Sequence, residues 1–405
     1  MALGINYPVG PRLVFREGAL DSIGELVKEY GGHSVLLVSD GGLIRAGHAD
    51  RAAESLKRAK VDVHVFGKVR ENPTTRDVAE CVAEARLHEI DFIVGLGGGS
   101  SLDTAKGANF ILTNGGTIAD YRGFNKASRA LLPFVAIPTT AGTGSECQCF
   151  ALIADEFTHQ KMACGDEQAY ARVALLDPLL TLSLPWRVTA NAGIDTVTHA
   201  LESYVTSART TVSQSFSRET WSLAESNLST VLDEPTNIGA RGRMLLASAY
   251  GGTAIAQSML GAAHSAANPL TARFNLVHGQ AVGIMLPHVI RFNCRDPQVL
   301  ASYIELAVTT GLARRSDDPE QSLWALLTRI AELLDSARIP DGLRDCGVSR
   351  GRIPEMAAEA MREWTAGFNP VRLAVNDFSE LYAAACESRR ELFDLQPLVS
   401  RPVNT

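Results

Sequence analysis

Four residues in the second half of the chain have the types and spacing of metal ligands. Asp195 and His199 lie four residues apart in a segment with helical spacing, so their side chains fall on one face of the predicted helix. His264 and His278 follow among small residues, and Pro269 between them predicts that they belong to different segments. One carboxylate and three imidazoles suit Fe²⁺ or Zn²⁺ and leave room for a substrate oxygen. Spacing alone leaves open whether the histidines are ligands or structural residues.

A glycine-rich turn in the first half of the chain has the layout of an anion site. An apolar predicted strand, 92–94, runs into Gly97, Gly98 and Gly99, and Ser100 then opens a predicted helix. A turn without side chains lets the backbone approach a phosphate, and the start of a helix presents free N–H groups to it. We expect a nucleotide diphosphate on this turn. The alternative is an ordinary tight connection between a strand and a helix.

A second glycine-bearing loop, PTTAGTGSE at 138–146, is rich in hydroxyl groups. The side chains of Thr139, Thr140 and Thr143 and the backbone amides suit a polar ligand such as a diphosphate, a ribose or a carboxamide. The alternative is a hydroxyl-rich turn that caps a helix.

Asp40 stands at the end of the first predicted strand, 33–39. Its carboxylate could accept a hydrogen bond from a ribose 2′-hydroxyl and would repel a 2′-phosphate, which favours NAD over NADP. The alternative is a turn-forming aspartate before two glycines.

The elements that position these residues change character along the chain. Up to about residue 186, strand-like and helix-like segments alternate, which predicts a mostly parallel sheet with helices on both faces. Ligands of such sheets bind outside the carboxyl ends of the strands, where Asp40 and both glycine loops are expected. The predicted strands span 33–39, 61–66, 92–94, 134–137, 149–153 and 172–176.

Beyond Leu184-Pro185 nearly every segment has helical periodicity. The sequence therefore predicts an α/β dinucleotide-binding domain over residues 1–186 and an all-α metal-binding and substrate domain over residues 187–405. The predicted helices of the second domain span 189–205, 213–231, 237–258, 278–293, 297–311, 319–336 and 376–389.

Composition excludes several classes of partner. The 405 residues carry a net charge of −7 and no run of Lys or Arg, which argues against a nucleic-acid surface. No apolar stretch is long enough to span a membrane, and the N-terminus lacks the layout of a signal peptide. Seven scattered cysteines predict free thiols and a cytoplasmic location.

Four motifs follow one another along the chain: GLGGGSSLDTAK (95–106), PTTAGTGSE (138–146), the DxxxH of GIDTVTHALESY (195–199) and HGQAVGIMLPHVIRFN (278–293). ENPT (71–74) and DP (177–178) accompany them. Together these motifs resemble the iron-containing, or group III, alcohol dehydrogenase family, and the resemblance runs in order to about residue 293.

The resemblance implies a Rossmann-like, dehydroquinate-synthase-like α/β domain followed by a helical domain. It implies an oxidoreductase that interconverts a primary or secondary alcohol and its aldehyde or ketone, with a nicotinamide cofactor and Fe²⁺, or sometimes Zn²⁺. It also implies a homodimer or a higher homo-oligomer and a small-molecule substrate. The implied metal ligands are Asp195, His199, His264 and His278, and the implied cofactor-binding residues are Gly97, Gly98, Gly99, Ser100, Asp103, Thr139, Thr140, Thr143 and Lys161. Asp40, from its place after the first predicted strand, and Asn72 of the ENPT motif complete the set of cofactor-binding candidates.

One position departs from the family. Members commonly carry a second histidine four residues after the third ligand, where this chain has Asn268. That histidine is thought to help move the alcohol proton outward, and asparagine does not titrate near neutrality. We expect Asn268 to orient substrate and a different group, such as water or a ribose hydroxyl, to carry the proton.

Other functions fit the same residues. A hydroxyacid-oxoacid transhydrogenase would turn over without added NAD, and an aldehyde reductase would act on a specialised polar or anionic substrate. A lyase of the dehydroquinate-synthase type shares the architecture, although the SSLDTAK and PTTAGTGSE forms favour the dehydrogenase. A non-catalytic nucleotide-binding protein would lack bound metal and alcohol oxidation.

Overall fold

The computed structural model of the chain describes residues 10–158 and 160–393. The chain separates into two compact units, one of Met1–Thr139 with Gly144–Ser183 and one of Thr140–Thr143 with Leu184–Thr405. The sequence places the domain boundary at 186–187. Four residues of the second glycine loop, Thr140–Thr143, belong to the second unit although they precede this boundary in sequence.

The strands of the first unit are β1 Arg12–Phe15, β2 Ser34–Asp40, β3 Asp62–Val69, β4 Phe92–Gly97, β5 Gly123–Phe124, β6 Phe134–Pro138, β7 Phe150–Ala154, β8 Lys161–Gly165 and β9 Val173–Leu176. Six of them form a parallel sheet in the order β1-β9-β6-β4-β2-β3. A second sheet, β5-β8-β7, contains an antiparallel pair, β7 and β8, which the sequence did not predict. The mostly parallel α/β architecture is confirmed.

The helices of the first unit are α1 Ile23–Glu29, α2 Gly41–Arg45, α3 His48–Arg58, α4 Thr75–Ala85 and α5 Gly99–Asn114. They cover both faces of the six-stranded sheet, as a parallel sheet requires. Alternate residues of β2 point to opposite faces. Val35 and Leu37 join the core beneath α1 and α3, whereas Leu36 and Val38 join the core beneath α4 and α5.

Three of the predicted cofactor residues lie at the carboxyl ends of neighbouring strands. Asp40 ends β2, Gly97 ends β4 and Thr139 follows β6. The Thr139 N–H donates to Gly97 O at 3.0 Å, and Ser39 Oγ donates to Leu96 O at 2.9 Å, so the strand ends are tied together. This edge is where a parallel sheet binds its ligand.

The second unit is helical, and its described residues contain no strand, as predicted. Within the ranges that the structure covers, no helix combines the length and the apolar character needed to cross a membrane. All seven cysteines are free. The helices are α6 Trp186–Val205, α7 Thr211–Asp233, α8 Ile238–Ser258, α9 Ala262–Phe274, α10 His278–Asn293, α11 Pro297–Thr309, α12 Pro319–Ser336, α13 Ile353–Arg362 and α14 Val375–Ala385.

Helix α6 lies at the centre of the second unit and is buried on all sides over residues 193–205. It packs against α7, α8 and α10. A helix buried all round would be apolar if packing alone decided its sequence. The polar residues on α6 must therefore find partners inside the protein.

Pro269 does not separate His264 from His278, contrary to the reason given from the sequence. It lies inside α9, where burial of the helix compensates for the one intrahelical bond that a proline removes. Helix α9 ends at Asn275, which takes a left-handed conformation with φ of 53°. The two histidines still lie on different helices, α9 and α10.

His288 is a buried histidine of α10, and neither of its ring nitrogens has a hydrogen-bond partner among the described residues. Burial, with a smaller contribution from the charge of Arg291, lowers its pKa to about 4. The folded protein therefore holds this imidazole neutral, whereas the unfolded chain protonates it near its ordinary pKa.

Replacing His288 should reduce the loss in free energy of unfolding that the protein shows as pH falls below neutrality. The unfolded chain gains a proton at His288 below pH 6.5 and the folded protein does not until about pH 4, so the wild type loses stability as pH falls. We expect His288→Leu to gain about 2 kcal/mol in free energy of unfolding relative to wild type between pH 7 and pH 5. Denaturant titrations at both pH values measure this, with the exposed His33→Leu as control. A difference independent of pH would contradict it.

Candidate metal centre and cofactor site

One face of α6 carries three buried polar side chains: Asp195, His199 and Glu202. Their positions, i, i+4 and i+7, place them in a single stripe along the helix. The sequence singled out the first two and missed Glu202. Its signal was its position three residues after His199, on the same predicted face.

Two further helices complete the cluster. His264 is in the first turn of α9, and His278 is the first residue of α10. The Nε2 atoms of His199, His264 and His278 lie 3.4, 3.5 and 3.7 Å from Asp195 Oδ1. Asp195, His199 and His264 offer donor atoms that all lie within 4.8 Å of one another, and His278 Nε2 joins this group through its approach to Asp195 Oδ1.

Gly279 allows α10 to approach α6 this closely. A Cβ at this position would lie 2.0 Å from Asn191 O on α6, which is far inside van der Waals contact. Any other residue would push the start of α10 away, and His278 with it.

The donor set fits a divalent cation. In a tetrahedral site with bonds of about 2.1 Å, neighbouring donors lie about 3.4 Å apart. Asp195 Oδ1 and His264 Nε2 are both buried, and neither makes a hydrogen bond to a described residue. A cation between them would satisfy both atoms, and one carboxylate with three imidazoles suits Fe²⁺ or Zn²⁺.

The charges of the cluster shift its pKa values. Burial alone would raise the pKa of Asp195, but the nearby histidines hold it below its usual range. Burial lowers the pKa of His199 to about 4. Burial opposes protonation of His264 too, but Asp195 and Glu202 on either side raise its pKa to about 9. A cation would replace the proton on His264, so metal binding is expected to release protons.

His278 forms the accessible side of the cluster. Its side chain is 26% exposed, against 7% or less for Asp195, His199 and His264. A site closed on one side and open on another is the arrangement of a catalytic metal centre, where a position is left for substrate.

Glu202 orients the His264 ring through Nδ1, the nitrogen that does not face Asp195. Its Oε2 accepts a hydrogen bond from His264 Nδ1 at 2.6 Å, and its Oε1 accepts from the Ala263 N–H at 2.7 Å. A carboxylate at Nδ1 holds the proton on that nitrogen and leaves Nε2 free to bind a cation. The same side chain also satisfies an N–H group at the start of α9.

Asn268, the predicted substrate-orienting residue, lies one turn after His264 on α9. Its Nδ2 donates to Glu363 Oε2 at 2.8 Å, and the side chain is partly exposed. Sequence reasoning missed Glu363, because nothing in the region beyond residue 300 connects it to the ligands.

The glycine turn has the backbone geometry that an anion site requires. Gly97 has φ of 152°, and a Cβ on it would lie 2.4 Å from Ser101 Oγ, so only glycine fits. Gly98 is the N-cap of α5, and Gly99 begins the helix. The Asn72 N–H donates to Ser100 Oγ at 3.2 Å, which brings the ENPT segment to the same helix start.

The other predicted cofactor residues of the first unit lie in different settings. Asp40 caps α2, with Oδ1 accepting from the N–H groups of Gly42 and Leu43. Asp103 is buried, and its carboxylate accepts from Ser145 Oγ at 2.6 Å and from the Leu152 N–H at 3.2 Å, so it holds the second glycine loop. Lys161 is the first residue of β8.

The remaining threonines belong to a segment that packs on α6 within the second unit. The segment Thr140–Thr143 is tied to the helix by Thr196 Oγ1, which donates to Ala141 O at 3.0 Å. Thr140 and Thr143 thus lie on the segment that contacts the helix of Asp195.

Comparison with known proteins agrees with this arrangement. A model described as "Iron-containing alcohol dehydrogenase" matches residues 10–178, and one described as "Fe-containing alcohol dehydrogenase family, C-terminal" matches residues 189–386. Alcohol dehydrogenase 4 of Schizosaccharomyces pombe is 32% identical over 372 residues, covering 92% of this chain and 87% of that protein. The NAD-dependent methanol dehydrogenase of Bacillus methanolicus is 30% identical over 384 residues, covering 93% and 98%. A crystal structure of 1,3-propanediol oxidoreductase superposes with a TM-score of 0.89 at 30% identity, covering 93% and 98% of the two chains.

Removing the charge of Glu202 should weaken metal binding. In Glu202→Gln the side chain has one acceptor oxygen for two donors, the Ala263 N–H and the His264 Nδ1–H. One hydrogen bond is therefore lost, and so is the negative charge that holds the proton on His264 Nδ1. We expect metal affinity to fall about 10- to 100-fold, as for other residues that support a ligating histidine.

Competition with a chromogenic chelator for Co²⁺ or Zn²⁺ measures this affinity. Glu219→Gln, at an exposed position on α7, is the matched control. If a correctly folded Glu202→Gln protein bound metal with wild-type affinity, Glu202 would not have the proposed role of supporting His264 as a ligand.

Proposed function

The chain belongs to the iron-containing alcohol dehydrogenase family, and we propose that its four converging side chains hold the cation of an NAD-linked oxidoreductase. The family relation makes it an enzyme that interconverts alcohols and aldehydes. The observation that carries the proposed site is the convergence of three Nε2 atoms on Asp195 Oδ1 at 3.4 to 3.7 Å.

At the proposed metal centre the protein positions the ligands and keeps them largely out of solvent. Asp195, His199, His264 and His278 would hold Fe²⁺, with Zn²⁺ as the alternative. A bound divalent cation supplies a Lewis acid that stabilises negative charge on the substrate oxygen. Glu202 keeps His264 in the ligating tautomer, and the partly exposed side at His278 leaves access for a small alcohol or aldehyde.

The carboxyl edge of the first unit is the proposed cofactor site. The N–H groups of Gly97–Ser100 suit the diphosphate, and Asp40 Oδ2 remains available for a ribose hydroxyl because only Oδ1 caps α2. A carboxylate at this point repels a 2′-phosphate, which supports NAD over NADP. The further cofactor-binding candidates are Asn72, Asp103, Thr139, Thr140, Thr143 and Lys161.

The remaining proposals concern setting and assembly. Seven free thiols support a reducing, cytoplasmic location. The edge strand β1 exposes Leu13 and Phe15, which supports a homodimer or a higher homo-oligomer. The net charge of −7 supports the absence of a nucleic-acid partner.

A turnover screen tests the proposed function. Protein loaded anaerobically with Fe²⁺, or with Zn²⁺, should reduce NAD with simple alcohols, and chelation should abolish the activity. His278→Ala should lose bound metal and turnover together, by at least about 100-fold, because it removes a ligand. The exposed His33→Ala is the control. Undiminished activity in metal-free protein would contradict the proposal, and turnover without added NAD would identify a transhydrogenase.

Cofactor preference tests Asp40 separately. Asp40→Asn keeps the oxygen that caps α2 and removes the charge, so stability is preserved while repulsion of a 2′-phosphate is lost. We expect the ratio of kcat/KM with NADP to that with NAD to rise about tenfold. An unchanged ratio in a fully stable variant would exclude Asp40 from the ribose site.

A further inference from the structure

A segment far along the chain, Glu363–Asn369, runs beside the helix that carries His264. Three polar contacts fasten it to α9, at helix positions three residues apart. They join Asn268 Nδ2 to Glu363 Oε2 at 2.8 Å, Ser265 Oγ to Thr365 Oγ1 at 2.7 Å, and Ala262 N to Asn369 Oδ1 at 3.2 Å. The segment therefore follows α9 for about two turns in the opposite direction.

The contact at Glu363 fixes the orientation of the Asn268 amide. A carboxylate accepts hydrogen bonds and has none to donate, so the NH₂ group of Asn268 must face it. This holds independently of how the oxygen and nitrogen of the amide were assigned. Asn268 Oδ1 consequently points away from Glu363, and it accepts no hydrogen bond from a described residue.

Asn268 shares a face of α9 with His264, one of the proposed metal ligands. Asn268 is four residues after His264 on one helix, so the two side chains are neighbours on the same face of α9. Asn268 is partly exposed, and a ligand can therefore reach it. A histidine at this position could donate a proton or accept one, whereas the held asparagine presents only an acceptor.

We propose, on the basis of the oxidoreductase activity put forward above, that Asn268, held by Glu363, selects ligands that carry a hydroxyl group and rejects those that carry an anion. A hydroxyl group donates to Oδ1. A carboxylate or sulfonate at the same place has no proton to donate and meets an acceptor oxygen, with the carboxylate of Glu363 one side chain away.

The expected size of the effect follows from one hydrogen bond. A single neutral hydrogen bond made by the bound ligand is equivalent to about a tenfold change in affinity. The hydroxyl could belong to the substrate or to the ribose of the cofactor. The chemistry at Oδ1 is the same in both cases, and kinetics separates them.

The test compares matched alcohols of equal chain length: a 1-alkanol, the terminal diol and the ω-hydroxy acid. Wild-type metal-loaded enzyme should turn over the hydroxy acid least. If the substrate supplies the hydroxyl, kcat/KM should be about tenfold higher for the diol than for the alkanol, and Asn268→Ala should abolish this ratio. If the cofactor supplies it, the ratio should be near one, and Asn268→Ala should raise the KM for NAD by about the same factor with every alcohol.

A second variant tests the orienting role of Glu363. In Glu363→Gln the partner can donate as well as accept, so the Asn268 amide can turn over and present its NH₂ group. The discrimination against the hydroxy acid should then fall while metal content stays at the wild-type level. Gln321→Ala, at an exposed position on α12, is the control that should keep every ratio unchanged.

The outcomes separate the two proposals. Turnover of none of the alcohols by wild-type metal-loaded enzyme would overturn the proposed function itself. Turnover with equal kcat/KM for diol and hydroxy acid would overturn only the proposal that Asn268 selects ligands, and the proposed function would stand. So would an Asn268→Ala protein with normal metal content and unchanged substrate ratios and KM for NAD.

Discussion

Two buried carboxylates on one helix, Asp195 and Glu202, are the constraint on which the second unit depends. An ionised carboxylate inside a protein is destabilising unless donors or positive charges surround it. Asp195 is close to the ring nitrogens of three histidines, and Glu202 accepts hydrogen bonds from the N–H groups of Ala263 and His264 and from His264 Nδ1. His264 lies between the two acids, so electrostatics fixes where α9 begins.

The same compensation explains why the helix carrying these acids can be buried all round. Asp195 and His199 face the proposed cation, and Glu202 accepts hydrogen bonds from the start of α9. Gly279 completes the arrangement by allowing a third helix to reach backbone contact. The proposed metal centre and the core of the second unit are therefore one structure, and the four proposed ligands cannot be moved without repacking α6, α9 and α10.

Sequence patterns predicted the parts that depend on neighbours along the chain. The bounds of α10 and α12 match their predictions, 278–293 and 319–336, because strong periodicity is framed by clear ends such as the Asp318 cap before Pro319. The ligand pair on α6 was visible for the same reason. The interpretation of Pro269 was wrong because a proline ends a helix only when packing does not compensate for the lost hydrogen bond. The short edge strand β1 was not predicted because its four residues are too few to show an alternation of apolar and polar side chains. The contact of Glu363 with Asn268 could not be predicted, since it joins residues 95 positions apart through folding alone.

The segment Glu363–Asn369 has a consequence for how such an enzyme can diverge. It contacts α9 through side chains, at sequence separations of 95 to 107 residues, and contributes none of the four proposed metal ligands. Mutations there are expected to change which molecules are accepted while the proposed ligands stay in place. Evolution, or a designed library confined to these seven positions, can thus explore new substrates with the reaction chemistry held constant.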